Sequence, residues 1–431
     1  MRIAMLAPIA WRTPPRHYGP WENIASLLTE GLVKKGVDVT LFATKDSQTS
    51  AKLESVCPRG YEEDNSINPK VWESLHISEL FEKSERFDLI HNHFDFLPLT
   101  FIPTTSTPVL TTIHGFSSPE ILPVYEKYNE KTYYVSISNA DRNPKLNYIR
   151  TVYHGIPLNS FTFEDNSGDY LLFFGRMHHD KGAKESIEIA RRSKKKLIMA
   201  GIIQDKKYFR EEIEPFIDGI HVLYEGSVGP KKRDRLLREA YALLHPINFD
   251  EPFGLSVIES MACGTPVLAF DRGSMSEVIS RNRTGFLVSS IEEAVDKVEE
   301  IKDLKRLDCR KWVEEKFSLE KMVENYISVY KSVLSKNQEK KTNSWGYSET
   351  LNRKDKHEIK KIALYPGQSL NVKFPLDKEK TWFIMEGKAC IRKNGKEVPA
   401  KSKQSIYLSP MTSHEIKNIG EKNLFFIEIG T

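Results

Sequence analysis

Two successive runs of short apolar strands, each strand followed by a helix-patterned stretch, constrain this chain more than any other feature. In the first run RIAMLA leads through a Pro-rich loop into a helix beginning near Trp21, with Ile24, Leu27, Leu28 and Leu32 on one face. That i, i+3, i+4, i+8 stripe belongs to a helix packed on a sheet. VDVTLFA (37–43), FDLIH (87–91), PVLTTI (108–113) and TYYVSI (132–137) repeat the pattern. A polar segment, LNSFTFEDNSGD (158–169), interrupts it, and a second run follows: YLLFFG (170–175), KKLIMAG (195–201), IHVLYEG (220–226), ALLHP (242–246) and PVLAF (266–270). Helices begin near Lys181, Pro230 and Phe253. Strands that are apolar through their middle and separated by helices are buried on both faces, as in parallel α/β sheets. Two such runs predict two doubly wound domains facing each other across a cleft, with ligands at the carboxyl ends of the strands.

The rest of the chain adds a third part. Residues 290–335 read as helical, and 336–356 (KNQEKKTNSWGYSETLNRKDK) are polar without a periodic apolar face, which predicts a linker. Beyond it, NVKF, WFIMEG, ACIRK, SIYLSP and LFFIEI alternate with the turn signals YPGQ, KNGK and NIGE, the pattern of a small all-β sandwich or barrel. The expected boundaries are 1–156, 157–335, a linker at 336–356, and a β domain at 357–431. A length of 431 residues agrees with about three domains.

Composition excludes several functions. Lys plus Arg is 63 against 59 for Asp plus Glu, so nothing favours a nucleic-acid partner. No apolar run approaches the ~18–20 residues of a membrane span. Cys57, Cys263, Cys309 and Cys390 lie far apart without a CxxC spacing, which argues against a zinc module or disulfide scaffold and fits a reducing cytoplasm. MRIAMLAPIAW reads as a buried first strand and not as a signal peptide.

Four motifs sit at strand-to-helix loops, two from each α/β run. FDEPFGLSVIESMACGTPVLAF carries Glu251, a Pro-Phe-Gly turn that opens a helix around Phe253, Gly254 and Leu255, and Glu259 two helical turns on from Glu251. Backbone N–H groups at the helix start can bind an anion, and the two carboxylates can accept hydrogen bonds from sugar hydroxyls. Alone, the pair also fits a helix with two solvated glutamates. FFGRMHHDKG places Arg176 and Lys181 on one loop, where two cations can neutralise a diphosphate without metal. TIHG puts His114 at a strand end, and TPPRHYGPWEN puts Gly19 in a loop that lets backbone approach a ligand closely. Other readings are weaker. His91 and His93 could be two metal ligands on one strand face, but a structural role is favoured, and His178–His179 reads as a solvated pair. GPKKRDR (229–235) reads as a solvated helix face, with weak attraction to anionic lipid or acceptor as the alternative. No Asp-x-Asp, P-loop or GxGxxG occurs, so no metal and no cofactor are expected.

With PPRHYGPWE, FDLIHNHFD, PVLTTIHG, VSISNADR, TVYHGIP, YLLFFGRMHHDKG, EPFGLSVIESMACGTPVLAF and TGFLV in this order, residues 1–335 resemble a family 4 glycosyltransferase of the GT-B fold. The resemblance implies two facing Rossmann-like domains and a retaining transfer. It implies that Arg176 and Lys181 hold the donor's diphosphate, that Glu251 contacts the transferred sugar beside Phe253, Gly254 and Leu255, and that Glu259 binds the ribose. It places His114 near the reacting centre and Gly19 against phosphate or acceptor. Pro20 stands where many members carry a second glycine, and His178-His179-Asp180 replaces the common Ser-Pro-Glu.

LYPGQSL, WFIMEGKACI and IYLSPMTSHEIKN resemble the cupin portion of bifunctional mannose-6-phosphate isomerase/GDP-mannose pyrophosphorylase enzymes. FPLDKEKTW (374–382) lacks the His-rich stretch of such cupins and leaves Glu379 and His414 as metal ligands, so a non-catalytic role in sugar binding or assembly is expected. The expectation for the whole chain is a metal-independent, retaining hexosyltransferase using GDP-mannose or UDP-glucose and an unidentified acceptor. A homodimer through the cupin and peripheral membrane contact are further expectations. A GT-B nucleotide-sugar epimerase and a non-catalytic nucleotide-sugar- or carbohydrate-binding assembly protein are the alternatives.

Overall fold

The computed structural model describes residues 1–115, 119–354, 357–372, 379–393, 395–409 and 413–430. The chain divides into two compact units, Met1–Tyr330 and Lys331–Thr431.

The first unit contains two sheets. One comprises β1 (Arg2–Leu6), β2 (Asp38–Phe42), β3 (Lys52–Glu54), β4 (Leu89–Asn92), β5 (Val109–Ile113), β6 (Tyr133–Ser136) and β7 (Tyr148–Thr151), in the order β3-β2-β1-β4-β5-β6-β7. The other comprises β8 (Tyr170–Phe174), β9 (Lys196–Ala200), β10 (Val222–Tyr224), β11 (Ala242–His245), β12 (Val267–Phe270) and β13 (Gly285–Val288), in the order β10-β9-β8-β11-β12-β13. Every pairing in both is parallel. Each sheet starts in its middle, winds to one edge, then returns to the other. The order therefore reverses between β1 and β4 and between β8 and β11, the place where doubly wound sheets bind ligands.

Burial explains these elements. Ile3, Ala4, Met5 and Leu6 are fully buried, so β1 is covered on both faces. The helix Pro20–Lys34 starts with Pro at its first position and buries Ile24, Leu28 and Leu32, with Leu27 partly covered. Each such side chain contributes roughly 1.5–3 kcal/mol. The helices expected near Lys181, Pro230 and Phe253 run from Ala183, Pro230 and Leu255. Three short strands were not anticipated: KLE and YIRT have no apolar run, and GFLV is too short to stand out, so neighbouring strands decide their conformation.

The helical stretch after 290 resolves into Ile291–Val298, Arg306–Lys316 and Leu319–Glu339. The last returns to the first sheet. Its Val323 packs on Gly31, where a Cβ would come within 2.4 Å of Val323 Cγ2, and its Tyr326 and Tyr330 are fully buried.

The second unit is antiparallel throughout. Its strands are β14 (Lys340–Asn343), β15 (Gly346–Lys354), β16 (His357–Leu364), β17 (Ser369–Val372), β18 (Lys380–Glu386), β19 (Ala389–Lys393), β20 (Lys396–Ala400), β21 (Ser405–Leu408), β22 (His414–Asn418) and β23 (Leu424–Gly430). They form sheets β14-β15-β16-β23-β18-β21 and β17-β22-β19-β20. Trp382, Ile384, Leu408, Leu424 and Phe426 lie in the core with Ile391 and Ile416. The linker expected at 336–356 is corrected: the segment supplies the end of the long helix and then β14 and β15, which pairs along β16. Trp345 packs against the core and its carbonyl accepts from Tyr365 N at 3.0 Å, which ties this polar stretch to the sheet. Residues 373–378, Asn394 and 410–412 of the quoted β motifs lie outside the described residues.

Candidate active site

The reversal between β8 and β11 brings two of the expected residues together. Lys181 ends a 3₁₀ turn (His179–Lys181) after β8, and Glu251 lies in the loop after β11. Lys181 Nζ donates to Glu251 Oε2 at 2.5 Å, and the ammonium also sits 4.5 Å from the centre of the Phe249 ring. The two loops are fastened to each other: Asn248 N donates to Asp180 O at 2.7 Å and Asn248 Nδ2 to His179 O at 3.0 Å. Burial pushes the Glu251 carboxyl up, but His245, 3.6 Å away, and Lys181 outweigh it and hold the group at about 2.

The remaining residues of this side sit around that pair. Arg176 is half-buried and donates to Gln204 Oε1. Phe253 is buried; its carbonyl accepts from Ser274 Oγ at 3.0 Å. Gly254 adopts φ +90°, and a Cβ there would meet Met275 Cε at 2.7 Å, so the turn requires glycine. Leu255 opens the helix Leu255–Ala262, which carries buried Glu259. Burial pushes the Glu259 carboxyl up and Arg233, 3.3 Å away, opposes it. That arginine comes from GPKKRDR, and Lys232 of the same run pairs with Glu225. Part of the basic run thus faces carboxylates.

On the first sheet, Gly19 caps the helix Pro20–Lys34 with φ +145°, packed against Glu22, Pro15 and Trp11. His114 follows β5, is 8 % exposed, and stacks on Trp21 at 5.6 Å. His93 Nδ1 lies 2.7 Å from His114 Nε2, while His114 Nδ1 is buried with no partner among the described residues. His91 and His93 contact each other, so their nitrogens face hydrogen-bonding groups in the interior.

Contacts from both halves join the sheets. His154, in the VYHGIP segment, stacks on His114 at 5.3 Å and meets Phe253 edge-on at 5.0 Å. Glu277 accepts from Asn139 N at 2.9 Å, Ala140 N at 2.7 Å, Asn139 Nδ2 at 2.9 Å and Tyr153 Oη at 2.8 Å. The sequence motif TVYHGIP contains His154 without marking that residue out, and neither Glu277 nor the pairing of His245 and Arg233 with the two glutamates is signalled by any motif.

Among the described residues one group of three gathers metal-type ligand atoms, His178, His179 and Asp180, within 4.8 Å. His178 Nδ1 accepts from Asp180 N at 3.3 Å, and both rings face the one Asp180 carboxylate. In the second unit the two expected ligands have different settings: Glu379 is exposed and takes the Tyr407 phenol, whereas His414 is buried in β22. Among the described residues neither Glu379 nor His414 belongs to a group of three metal-type ligands. All four cysteines are free. Among the described residues no helix is long and apolar enough to cross a membrane.

The two doubly wound sheets have the GT-B arrangement, and the family models give the class of enzyme. Residues 22–144 match Glycosyltransferase Family 4, 160–318 match Glycosyl transferases group 1, and 332–431 match the Mannose-6-phosphate isomerase C-terminal domain. The chain is thus a glycosyltransferase with an appended isomerase-type β domain. It is 24% identical over 399 residues to an uncharacterized glycosyltransferase of Methanocaldococcus jannaschii, covering 77% of this chain and 98% of that one. Its fold is similar to AviGT4, a glycosyltransferase involved in avilamycin A biosynthesis, with TM-score 0.61 and 22% identity over 78% and 98% of the two chains. It is also similar to HepE of Anabaena in complex with UDP-glucose, with TM-score 0.58 and 15% identity over 77% and 100%.

Proposed function

We propose that this chain is a retaining hexosyltransferase that moves a hexose from a nucleotide-diphosphate sugar, GDP-mannose or UDP-glucose, to an acceptor hydroxyl. The observation that carries it is the Lys181–Glu251 pair at the reversal of the second sheet, with Arg176 on the same loop as Lys181. Cleaving the anomeric C–O bond puts negative charge on the departing diphosphate. Arg176, Lys181 and the N-terminus of the helix Leu255–Ala262 stabilise that charge as it grows. Glu251 and His114 fix hydroxyls of the oxocarbenium-like sugar, and Glu259 receives the ribose. A donor phosphate oxygen takes the acceptor's proton as the hydroxyl attacks from the same face. The family resemblance supports retention; HepE's bound UDP-glucose supports that donor, and the isomerase-type domain supports GDP-mannose.

The test is thermal stabilisation of the full chain by UDP-, GDP-, ADP- and TDP-sugars. Ligand at 100 times its Kd adds about 2.7 kcal/mol. A shift with one nucleotide, lost in Lys181→Ala, supports the reading; no shift with any of them overturns it. Donor turnover without acceptor would indicate an epimerase instead.

A second reading concerns self-association. Phe383, Tyr407 and Ile429 are exposed on one face of β18, β21 and β23, opposite buried Trp382 and Ile384, which favours pairing of two copies through 357–431. A monomer in light scattering overturns it.

A further inference from the structure

Four histidines form an unbroken run of ring contacts inside the first unit, and the mechanism above uses one. Centroid separations are 4.1 Å from His91 to His93, 5.0 Å from His93 to His114 and 5.3 Å from His114 to His154. All four are buried. His93 engages both its nitrogens, with Nδ1 2.7 Å from His114 Nε2 and Nε2 3.3 Å from His91 Nδ1. The far end closes on the helix Leu319–Glu339. Tyr330 Oη is 2.7 Å from His91 Nδ1, and Tyr326 Oη is 2.8 Å from Thr112 Oγ1, which is itself 2.8 Å from His91 Nε2.

The protons can be followed along this run. Burial, with neighbouring imidazoles adding to it, holds His91, His93 and His114 well below the usual histidine range, so each ring is neutral. A neutral imidazole has one N–H and one lone pair, so a ring that donates on one side accepts on the other. The phenol of Tyr330 is the better donor of its pair and imidazole nitrogen the better acceptor. His91 Nδ1 therefore accepts, and its proton sits on Nε2, directed at Thr112. His93 donates from Nε2 toward the same His91 lone pair and accepts at Nδ1. His114 then carries its proton on Nε2, donated to His93. Its Nδ1, which has no partner among the described residues, is left as a bare acceptor.

We propose that His93 is a positioning residue that fixes His114 as the Nε2–H tautomer, with the direction set by the Tyr330 hydroxyl through His91. Resting on the functional reading above, the bare Nδ1 accepts a hydrogen bond from a donor-sugar hydroxyl, and the opposite tautomer would present a second donor to that hydroxyl.

The experiment is long-range ¹H–¹⁵N correlation on full-length protein with ¹⁵N-histidine, the His114 signals assigned by their loss in His114→Gln. Wild type should show His114 protonated at Nε2. Tyr330→Phe, which keeps the ring and removes only the hydroxyl, should change the tautomer ratio roughly five- to tenfold, as expected for losing one hydrogen bond. His93→Leu should do the same or more. A wild-type His114 protonated at Nδ1, or an unchanged ratio in Tyr330→Phe, overturns the proposal. The readout needs no substrate. If the tautomer responds while no nucleotide sugar stabilises the protein, the relay stands and the transferase mechanism falls.

Discussion

Lys181 Nζ lies 2.5 Å from Glu251 Oε2, with the side chains only 16% and 12% exposed. The two groups assigned to different parts of a donor neutralise each other. An arriving diphosphate therefore competes with a carboxylate for the ammonium. Removing Lys181 leaves the buried Glu251 carboxylate with His245 alone beside it, and breaking a buried pair in this way costs up to ~3–5 kcal/mol. Lys181→Ala should lose about that much in urea unfolding, and Lys181→Ala/Glu251→Gln should recover most of it. Turnover should stay ~10²–10³ below wild type in both. Near-normal transfer by Lys181→Ala at saturating donor would remove Lys181 from the mechanism.

Asp141 provides a pH signature. Both carboxylate oxygens are buried without a hydrogen-bond partner among the described residues, and burial, aided by the Glu277 charge, pushes the group up to about 8. Between pH 4 and 8 the folded chain holds this proton and the unfolded chain releases it, so stability falls as pH rises through that window. Asp141→Asn should be the more stable protein at pH 8 by ~1–3 kcal/mol and should lose its advantage toward pH 4. Parallel Tm profiles for the two proteins would contradict this.

Glu277→Ala removes the acceptor of two backbone N–H groups, an amide and a phenol across the sheet junction. Amide exchange at Asn139 and Ala140 should accelerate, and stability should drop by ~1–3 kcal/mol. Unchanged protection at both amides would show that the contact does not fasten the sheets.

In the second unit, Trp382 Nε1 donates to Glu428 Oε2 at 3.0 Å and Lys380 Nζ to Glu428 Oε1 at 2.9 Å. Glu428→Ala leaves the buried indole N–H alone, a loss of ~1–3 kcal/mol that differential scanning calorimetry can assign to this unit if it melts separately. Glu428→Gln, which can still accept from the indole, should recover part of it.

Much of this architecture is legible in sequence because buried parallel strands advertise themselves as apolar runs. FDLIH and PVLTTI needed no other signal. Segment 336–356 was misread because an edge hairpin needs few apolar residues: Trp345 anchors it, and pairing along β16 does the rest. The motifs single out Lys181, Glu251, His114 and Glu259 as separate candidates. Nothing in their spacing could show that Lys181 and Glu251, 70 residues apart, would be bonded to each other, or that Tyr330 would end a chain of contacts beginning at His114. Such pairings are set by strand order and by the return of the last helix.

Glu277 fastens one sheet to the other through neutral donors; among the described residues the groups it holds include no lysine or arginine. Mobile ions weaken attraction between exposed opposite charges over about a Debye length, whereas a carboxylate seated on amides and a phenol at contact distance is little affected. Concentrated salt should therefore loosen the surface ion pairs of this protein well before it loosens the joint between its two sheets, so ionic strength offers a way to perturb its periphery while leaving that joint closed.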